Sequence, residues 1–260
     1  MVQETIEIEA IIVYLIRTHT GQRKKVNKID KQIIYEWPRI TMPDGQKVKD
    51  LDFNIFEFNC TGKEVDPSEE MPSKDTGMSE RLCPVFDIIY NKYLDNNKAY
   101  LFFDCGCSDG RVVEHLQNNY PNIIASGCEV AHLWIKYANS KNRNVFYADV
   151  NDPDTFGKRR FDIILSSKVL NLTKNFRTSL LCLCDLLFSG GIIILLFGFT
   201  TNQHASHYCL IESPDIVTNW INNYNEFKNI EVVEVIYKSG EFQSLVAEDE
   251  VIIVLRKHNE

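Results

Sequence analysis

The chain has 260 residues, of which 44% are hydrophobic and 25% charged, a balance typical of a globular protein with one large domain or one domain and an extension. No apolar run reaches the ~20 residues that a membrane helix needs, and the start Met1–Glu4 lacks the basic residues of a secretory signal. We therefore expect a cytoplasmic or nuclear protein that is not secreted. The eight cysteines lack the usual metal-ligand spacings, which predicts reduced thiols and no metal site.

The charge is unevenly distributed along the chain. The net charge of −8 argues against broad affinity for nucleic acids. Residues 17–49, however, carry nine Lys or Arg against three acids, which leaves about −14 on the remainder. Such a segment is usually a solvated face, and it is also where contact with RNA phosphates would be expected.

Residues 1–78 predict a β-rich extension followed by a mobile linker. Strand patterns occupy 4–16, 33–37 and 53–58, with a helix at 5–16 as the alternative for the first. A basic turn is predicted at 20–25 and another turn at Pro43-Asp44-Gly45. Proline, glycine and acidic residues mark 61–79 as the linker. An extension of this kind could dock a partner subunit or a second copy of the chain.

From residue 79 to residue 260, strand-like and helix-like patterns alternate. After a helical stripe that begins at Arg81, helices are predicted at 111–119, 131–140, 175–188 and 214–226. Strands are predicted at 100–104, 123–128, 145–148, 161–166, 191–197, 231–237 and 250–256. Repeated βα units predict an α/β fold with a doubly wound, mostly parallel seven-stranded sheet. The last two strands have no helix between them and are expected to form a C-terminal antiparallel hairpin.

The segment 104–110, Asp-Cys-Gly-Cys-Ser-Asp-Gly, links a predicted strand to a predicted helix through a glycine-containing turn, the usual place for a ligand in such sheets. Three hypotheses compete for it. A dinucleotide site needs G-x-G-x-x-G, and Ser108 and Arg111 stand where two of those glycines belong. This hypothesis is the weakest of the three.

A serine nucleophile is the second hypothesis for the same turn. Residues 106–110 match G-x-S-x-G between a strand and a helix, which would make Ser108 the nucleophile of a hydrolase. A triad in the chain order Ser, acid, His would then need Asp149 or Asp162 as its acid and His204 or His207 as its histidine. No His-Gly-Gly type oxyanion loop lies upstream.

The third hypothesis is a methyl-donor site, because residues 79–257 resemble the class I S-adenosylmethionine-dependent methyltransferases. Residues 104–110 are similar to their D-x-G-x-G-x-G signature, with Ser108 in place of the middle glycine. Residues 161–170 and 186–194 resemble the fourth-strand and fifth-strand regions of the family.

The resemblance implies S-adenosylmethionine as cofactor, with S-adenosylhomocysteine as product. It implies that Asp104 and the turn hold the methionine end, that Glu129 binds the ribose hydroxyls, and that Asp149 accepts from the adenine amino group. The complete set of implied cofactor residues is Asp104, Gly106, Cys107, Ser108, Gly110, Glu129, Val130, Asp149, Val150 and Ser166.

The acceptor side lies at the ends of the fourth and fifth strands, where a base is needed only if the nucleophile must lose a proton. The catalytic candidates are His204, His207 and Lys168, with Ser167 and Tyr208 nearby. No [DNS]-P-P-[YFW], Pro-Cys or Lys-Asp-Lys-Glu set is found, which disfavours enzymes acting on DNA bases or on cap ribose. We expect a small-molecule or protein acceptor; an RNA methyltransferase (tRNA- or cap-type) and a non-catalytic cofactor-binding subunit are the alternatives.

Overall fold

The computed structural model describes residues 25–29, 32–35, 79–130, 132–173, 175–199 and 209–259. Its helices are α1 (Ser79–Tyr93), α2 (Arg111–Asn119), α3 (His132–Ser140), α4 (Phe176–Asp185) and α5 (Pro214–Asn223). Its strands are β1 (Lys25–Ile29), β2 (Gln32–Tyr35), β3 (Tyr100–Cys105), β4 (Ile123–Glu129), β5 (Val145–Tyr147), β6 (Phe161–Ser167), β7 (Leu187–Gly198), β8 (Cys209–Ile211), β9 (Ile230–Ile236) and β10 (Glu250–Lys257). The alternation predicted from residue 79 onward is confirmed.

Seven of these strands form one mixed sheet in the order β5-β4-β3-β6-β7-β10-β9. The pairs from β5 to β7 are all parallel, and β10 is antiparallel to both of its neighbours. After β3, the chain adds β4 and β5 on one side of β3, and it then crosses to add β6 on the other side. Ligands of doubly wound folds bind where the strand order reverses, at the carboxyl ends of the strands. We call this side of the sheet the carboxyl edge.

Apolar side chains cover both faces of the sheet, as expected for strands that read as continuous hydrophobic runs. One face packs against α1 and α2, and the other against α4 and α5. Every residue from Ile192 to Phe197 in β7 is at most 2% exposed. Trp220 and Val217 of α5 are fully buried, so the helix predicted at 214–226 packs into the core.

Residues 189–191, which lie between the helix predicted at 175–188 and the strand predicted at 191–197, are part of a strand. The helix predicted to reach 188 ends at Asp185, and β7 begins at Leu187. Leu187 pairs with Phe161, and the next pair is Ile192 with Ile163, so β7 carries extra residues in a bulge. Gly190 has φ +80° within it. Glycine in a strand pattern therefore marks a bulge here rather than an end.

A second, three-stranded antiparallel sheet has the order β1-β2-β8. β2 covers most of the strand predicted at 33–37, β1 begins within the predicted basic turn, and the short β8 was not predicted. The predicted strands 4–16 and 53–58 and nearly all of the linker lie outside the described residues. The division at residue 78 stays a prediction, although the pairing of β2 with β8 crosses it. No helix in the described part of the chain is both long and apolar enough to cross a membrane.

Candidate cofactor-binding site

The turn after β3 alternates left-handed residues. Gly106, Ser108 and Gly110 have φ of +70°, +51° and +74°. A Cβ on Gly106 would lie 2.3 Å from Cγ2 of Val169, so only glycine fits there. Ser108 adopts the conformation that glycine would take in the D-x-G-x-G-x-G signature, at a cost of roughly 1–2 kcal/mol. The departure from the signature at Ser108 thus leaves the shape of the turn intact.

Asp104 is a buried carboxylate near the end of β3. It is 3% exposed, and no hydrogen bond or ion pair reaches its side chain from the described residues. Burial raises the pKa of Asp104 well above its ordinary value, and the neighbouring carboxylates of Glu129 and Asp109 raise it further. An unpaired acid in such surroundings suits a cationic ligand, whose charge would replace the missing partner.

Glu129 is the last residue of β4, and its carboxylate faces the turn. Oε2 accepts a hydrogen bond from the amide of Ser108 at 2.9 Å, and Oε1 accepts from the amide of Val130 at 2.7 Å. The two carboxylate oxygens are therefore both at the turn, where a pair of ligand hydroxyls would meet two acceptors. The side chain stabilises the conformation of the turn through its bond to Ser108.

Asp149 follows β5 by two residues in a local turn. Its Oδ1 accepts from the amide and from the side-chain nitrogen of Asn151, at 2.8 and 2.9 Å. Both of these bonds reach the same oxygen, and Oδ2 stays available to a donor. The residue is half-buried, as a contact to a bound ligand requires.

The other predicted cofactor residues shape the turn rather than supply donors. The amide of Cys107 donates to the carbonyl of Cys128, and the amide of Gly110 donates to the carbonyl of Cys107, both at 2.9 Å. The amides of Ser108 and Val130 donate to the carboxylate of Glu129, so all of these N–H groups are hydrogen-bonded within the protein. The turn contributes to ligand binding by letting a ligand lie close to its backbone. Val150, also in the predicted set, is 5% exposed.

The end of β6 brings two serine hydroxyls to the carboxyl edge. Ser166 is fully buried and is the Cα partner of Cys105 in β3. The Oγ atoms of Ser166 and Ser167 are buried without a hydrogen-bond partner in the described part of the chain. Unsatisfied buried hydroxyls are uncommon and are consistent with a ligand contact.

Of the three catalytic candidates, the described residues include Lys168 alone. Lys168 follows β6, and its ammonium is ion-paired with Glu250 of β10. His204 and His207, with the nearby Tyr208, lie outside the described residues and stay predictions.

Three residues of this region were missed by the sequence reasoning. Val169 packs on Gly106, Glu250 pairs with Lys168, and Asn171 bonds to the backbone of Gly198 through both side-chain atoms at 3.1 Å. Each of these contacts joins segments distant in sequence, and no local pattern marks them. Only Asn171 gave a weak signal, as a polar residue in an apolar run.

The nucleophile hypothesis loses one of its two acids. The carboxylate of Asp162 accepts from the amide of Leu101 at 2.7 Å, at the amino ends of β6 and β3. Ser108 lies beyond the opposite end of β3, so Asp162 cannot complete a triad with it.

The cysteines behave as apolar core residues. Cys83, Cys105, Cys107, Cys128, Cys182 and Cys184 are free thiols, and all of these but Cys83 are buried. Burial, with the nearby charge of Asp185, raises the pKa of Cys182 to about 12, so it is not a reactive thiolate. The described residues contain no group of three or more His, Cys, Asp or Glu arranged to hold a metal ion.

Comparisons with known proteins agree with this arrangement. Residues 103–195, which run from β3 into β7, match the family model described as a methyltransferase domain. No curated protein sequence matches the chain. Solved structures match over most of its length.

Three of these structures illustrate the likeness. The plantazolicin methyltransferase BpumL in complex with SAH has a TM-score of 0.55 and 15% identity, over 71% of this chain and 86% of its own. An O-methyltransferase from a trans-AT PKS multienzyme of Brevibacillus brevis, in complex with S-adenosyl-L-homocysteine, has a TM-score of 0.55 and 13% identity, over 74% and 82%. A putative methyltransferase in complex with the Haloferax volcanii Trm112 methyltransferase activator has a TM-score of 0.52 and 13% identity, over 70% and 93%.

At these identities the solved structures establish the fold alone, and the family model covers residues 103–195. Taken with the sheet order and the turn after β3, they show that this chain has the class I, Rossmann-like fold of S-adenosylmethionine-dependent methyltransferases and that residues 103–195 match a methyltransferase domain.

Proposed function

We propose that the chain transfers the methyl group of S-adenosylmethionine to a small-molecule or protein acceptor. One observation carries the cofactor part of this proposal. Asp104, Glu129 and Asp149 lie at the carboxyl ends of three adjacent strands, β3, β4 and β5. The cofactor presents its donors in the same order: an ammonium group, two ribose hydroxyls and an adenine amino group. Three acceptors in a row match three donor groups in a row.

Each acid has a distinct role in the proposal. The buried carboxylate of Asp104 holds the ammonium group, which supplies the positive charge that its surroundings lack. The carboxylate of Glu129 takes the vicinal hydroxyls of the ribose, and Oδ2 of Asp149 takes the adenine amino group. The turn at 106–110 lets the backbone lie close to the ligand.

When bound, the cofactor supplies an electrophilic methyl group on a sulfonium. The protein then has to hold the acceptor nucleophile in line with that methyl and to exclude water. The buried hydroxyls of Ser166 and Ser167, at the end of β6, lack hydrogen-bond partners among the described residues and can contribute to this positioning. Where the nucleophile carries a proton, His204 or His207 is the proposed base.

The charge distribution supports a small-molecule or protein acceptor. Outside residues 17–49 the chain carries about −14, which repels RNA phosphates. Part of the basic segment forms β1 and β2, which pair with β8. β8 in turn contacts the short 3-10 turn of residues 170–172 that follows β6. This contact supports a place for the extension beside the acceptor, where it would select the acceptor or dock a partner subunit.

Titration calorimetry with S-adenosylhomocysteine tests the cofactor site. Glu129→Ala removes two acceptors from the ribose position and should weaken binding by at least tenfold, about 1.4 kcal/mol. Glu241→Ala, at an exposed position, is the matched control and should bind as the wild type does. Absence of heat with the wild-type protein would reject the proposal, and equal affinity of Glu129→Ala would reject the role of Glu129.

Labelling of a cell extract tests the acceptor. The protein is incubated with extract and S-adenosylmethionine carrying a radiolabelled methyl group, and label is measured in small-molecule, protein and RNA fractions. Label in the first or second fraction supports the proposal. Label in RNA would overturn the acceptor class, and cofactor binding without label in any fraction would favour a non-catalytic subunit.

A further inference from the structure

Glu250 places a buried carboxylate at the carboxyl edge, in a strand that carries none of the predicted site residues. It is the first residue of β10 and is 3% exposed. Because β10 runs against β7, its first residue pairs with Gly198, the last residue of β7. The amino end of β10 therefore meets the carboxyl ends of the parallel strands, on the side where the cofactor site lies.

The carboxylate of Glu250 joins three separate segments. Oε1 is ion-paired with the ammonium of Lys168, in the turn after β6. Oε2 lies 2.9 Å from Nη2 of Arg81, in the first turn of α1, and accepts from the amide of Ala247 at 3.0 Å. Burial alone would raise the pKa of Glu250, but the hydrogen bonds from Lys168 and Ala247 and the charge of Arg81 lower it below its ordinary value. The group is therefore an anion at neutral pH.

Lys168 is held in a conformation that its neighbours must maintain. Its φ is +61°, in the left-handed region that disfavours a residue with a Cβ. Its amide donates to the carbonyl of Leu196 in β7 at 2.7 Å, so both ends of the residue are fixed. Such backbone conformations persist where surrounding contacts over-determine them. The ion pair with Glu250 is one of these contacts.

The next residue carries this constraint to the cofactor turn. Val169 packs so closely on Gly106 that a Cβ there would lie 2.3 Å from its Cγ2. The position of Val169 depends on the left-handed turn at Lys168. A series of direct contacts therefore runs from Glu250 through Lys168 and Val169 to Gly106.

We infer that Glu250 is a positioning residue for cofactor binding, acting through Lys168 and Val169 on the turn at residues 106–110. The inference rests on the proposed function, since it takes that turn as the cofactor site. It also assigns Lys168 a different role from the one its sequence position suggested. Because its ammonium is ion-paired with the buried carboxylate of Glu250, Lys168 acts in this inference as a positioning residue and not as a catalytic one.

The test is a comparison of Glu250→Gln with Glu248→Gln by titration calorimetry with S-adenosylhomocysteine. The first variant keeps the shape of the side chain and removes its charge. The second makes the same change two residues away, where the side chain is 89% exposed and its pair with Lys238 is 3.4 Å long. We expect binding to weaken about tenfold for Glu250→Gln and to stay unchanged for the control. Equal affinities for the two variants would overturn the inference.

A second measurement separates positioning from a general loss of stability. Lys168→Met removes the other charge of the pair and leaves Glu250 with Arg81. Hydrogen exchange followed by mass spectrometry should show faster exchange in residues 104–110 for both Glu250→Gln and Lys168→Met, with β4 and β5 as protected as in the wild type. Uniformly faster exchange throughout the sheet, or a lower melting temperature with unchanged affinity, would overturn the inference. If the wild-type protein binds no cofactor, the proposed function fails, and the exchange data still decide whether Glu250 holds the turn.

Discussion

At position 104 a carboxylate is buried in β3 without a cationic partner among the described residues. Its pKa is raised above the ordinary 3.8, first by burial and then by Glu129 and Asp109. An acid with a raised pKa in the folded state contributes most to stability below its unfolded pKa. That contribution is lost as the pH rises through the folded pKa. At neutral pH the residue that would bind the ammonium group therefore opposes folding of the ligand-free protein.

Asp104→Asn should stabilise the ligand-free protein and abolish cofactor binding. The change removes the buried charge at constant size, worth roughly 1–3 kcal/mol, so we expect the melting temperature to rise by about 3–6 °C at pH 7. The gain should shrink as the pH falls towards 4, because the acid is by then protonated in the folded state and approaches its ordinary pKa of 3.8 in the unfolded state. Thermal melts between pH 4 and pH 8, with calorimetry of S-adenosylhomocysteine binding, measure both effects.

The same substitution at an exposed acid provides the control for position 104. Asp154→Asn lies at an exposed position and should change the melting temperature by less than about 1–2 °C at every pH. A destabilised Asp104→Asn protein at pH 7 would show that the carboxylate has a stabilising partner in solution, contrary to the structure.

Residues of the candidate site differ in how far the sequence predicts them. Asp104 and Glu129 end strands whose hydrophobic runs are evident, and the position after a parallel strand implies the carboxyl edge. Glu250 also borders a predicted strand, but its partner Lys168 is 82 residues away, and nothing local encodes their contact. The packing of Val169 on Gly106 is likewise a product of the tertiary fold.

At the scale of elements, Asn171 joins the turn after β6 to the end of β7. It is fully buried, its Nδ2 donates to the carbonyl of Gly198, and its Oδ1 accepts from the amide of Gly198. Asn171→Ala would leave both backbone groups of Gly198 without these partners, which should cost roughly 2–3 kcal/mol. Urea denaturation at equilibrium measures the loss in the free energy of unfolding.

Asn223→Ala provides the comparison for this prediction. Asn223 is exposed at the end of α5, and its side chain bonds only within that helix, to Asn219. Its replacement should change the free energy of unfolding by less than about 0.5 kcal/mol. Similar losses for the two variants would mean that the bonds of Asn171 are replaced by water and contribute little.

The elements show where local pattern predicts structure and where it fails. Long apolar or amphipathic segments such as α2 and β6 are predicted within one residue at their ends. The glycines at 190 and 191 signal a turn by composition, yet they lie in a bulge of β7, because Gly191 packs where a Cβ would be 2.8 Å from the carbonyl of Asp162. Close approach between strands, which requires glycine there, is invisible in a single segment.

For the whole molecule, the order of the seven-stranded sheet follows from general rules once the elements are known. Right-handed βα crossovers and the absence of a helix between β9 and β10 leave few arrangements. The second sheet does not follow, because β8 has only three residues and its partners are more than 170 residues earlier in the chain. This sheet is what links the basic segment to the domain.

A proline in β2 tests whether the extension is part of the folded domain. β2 is the central strand of the second sheet, so each of its amides faces a neighbouring strand, and Ile33→Pro removes one of them. We expect faster hydrogen exchange at residues 209–211, with the seven-stranded sheet as protected as in the wild type. Val26→Pro is the control, because position 26 lies at an irregularity of the edge strand β1, where proline is tolerated. Unchanged exchange at 209–211 in Ile33→Pro would show that β8 does not depend on the extension, and the place proposed for residues 17–49 beside the acceptor would lose its support.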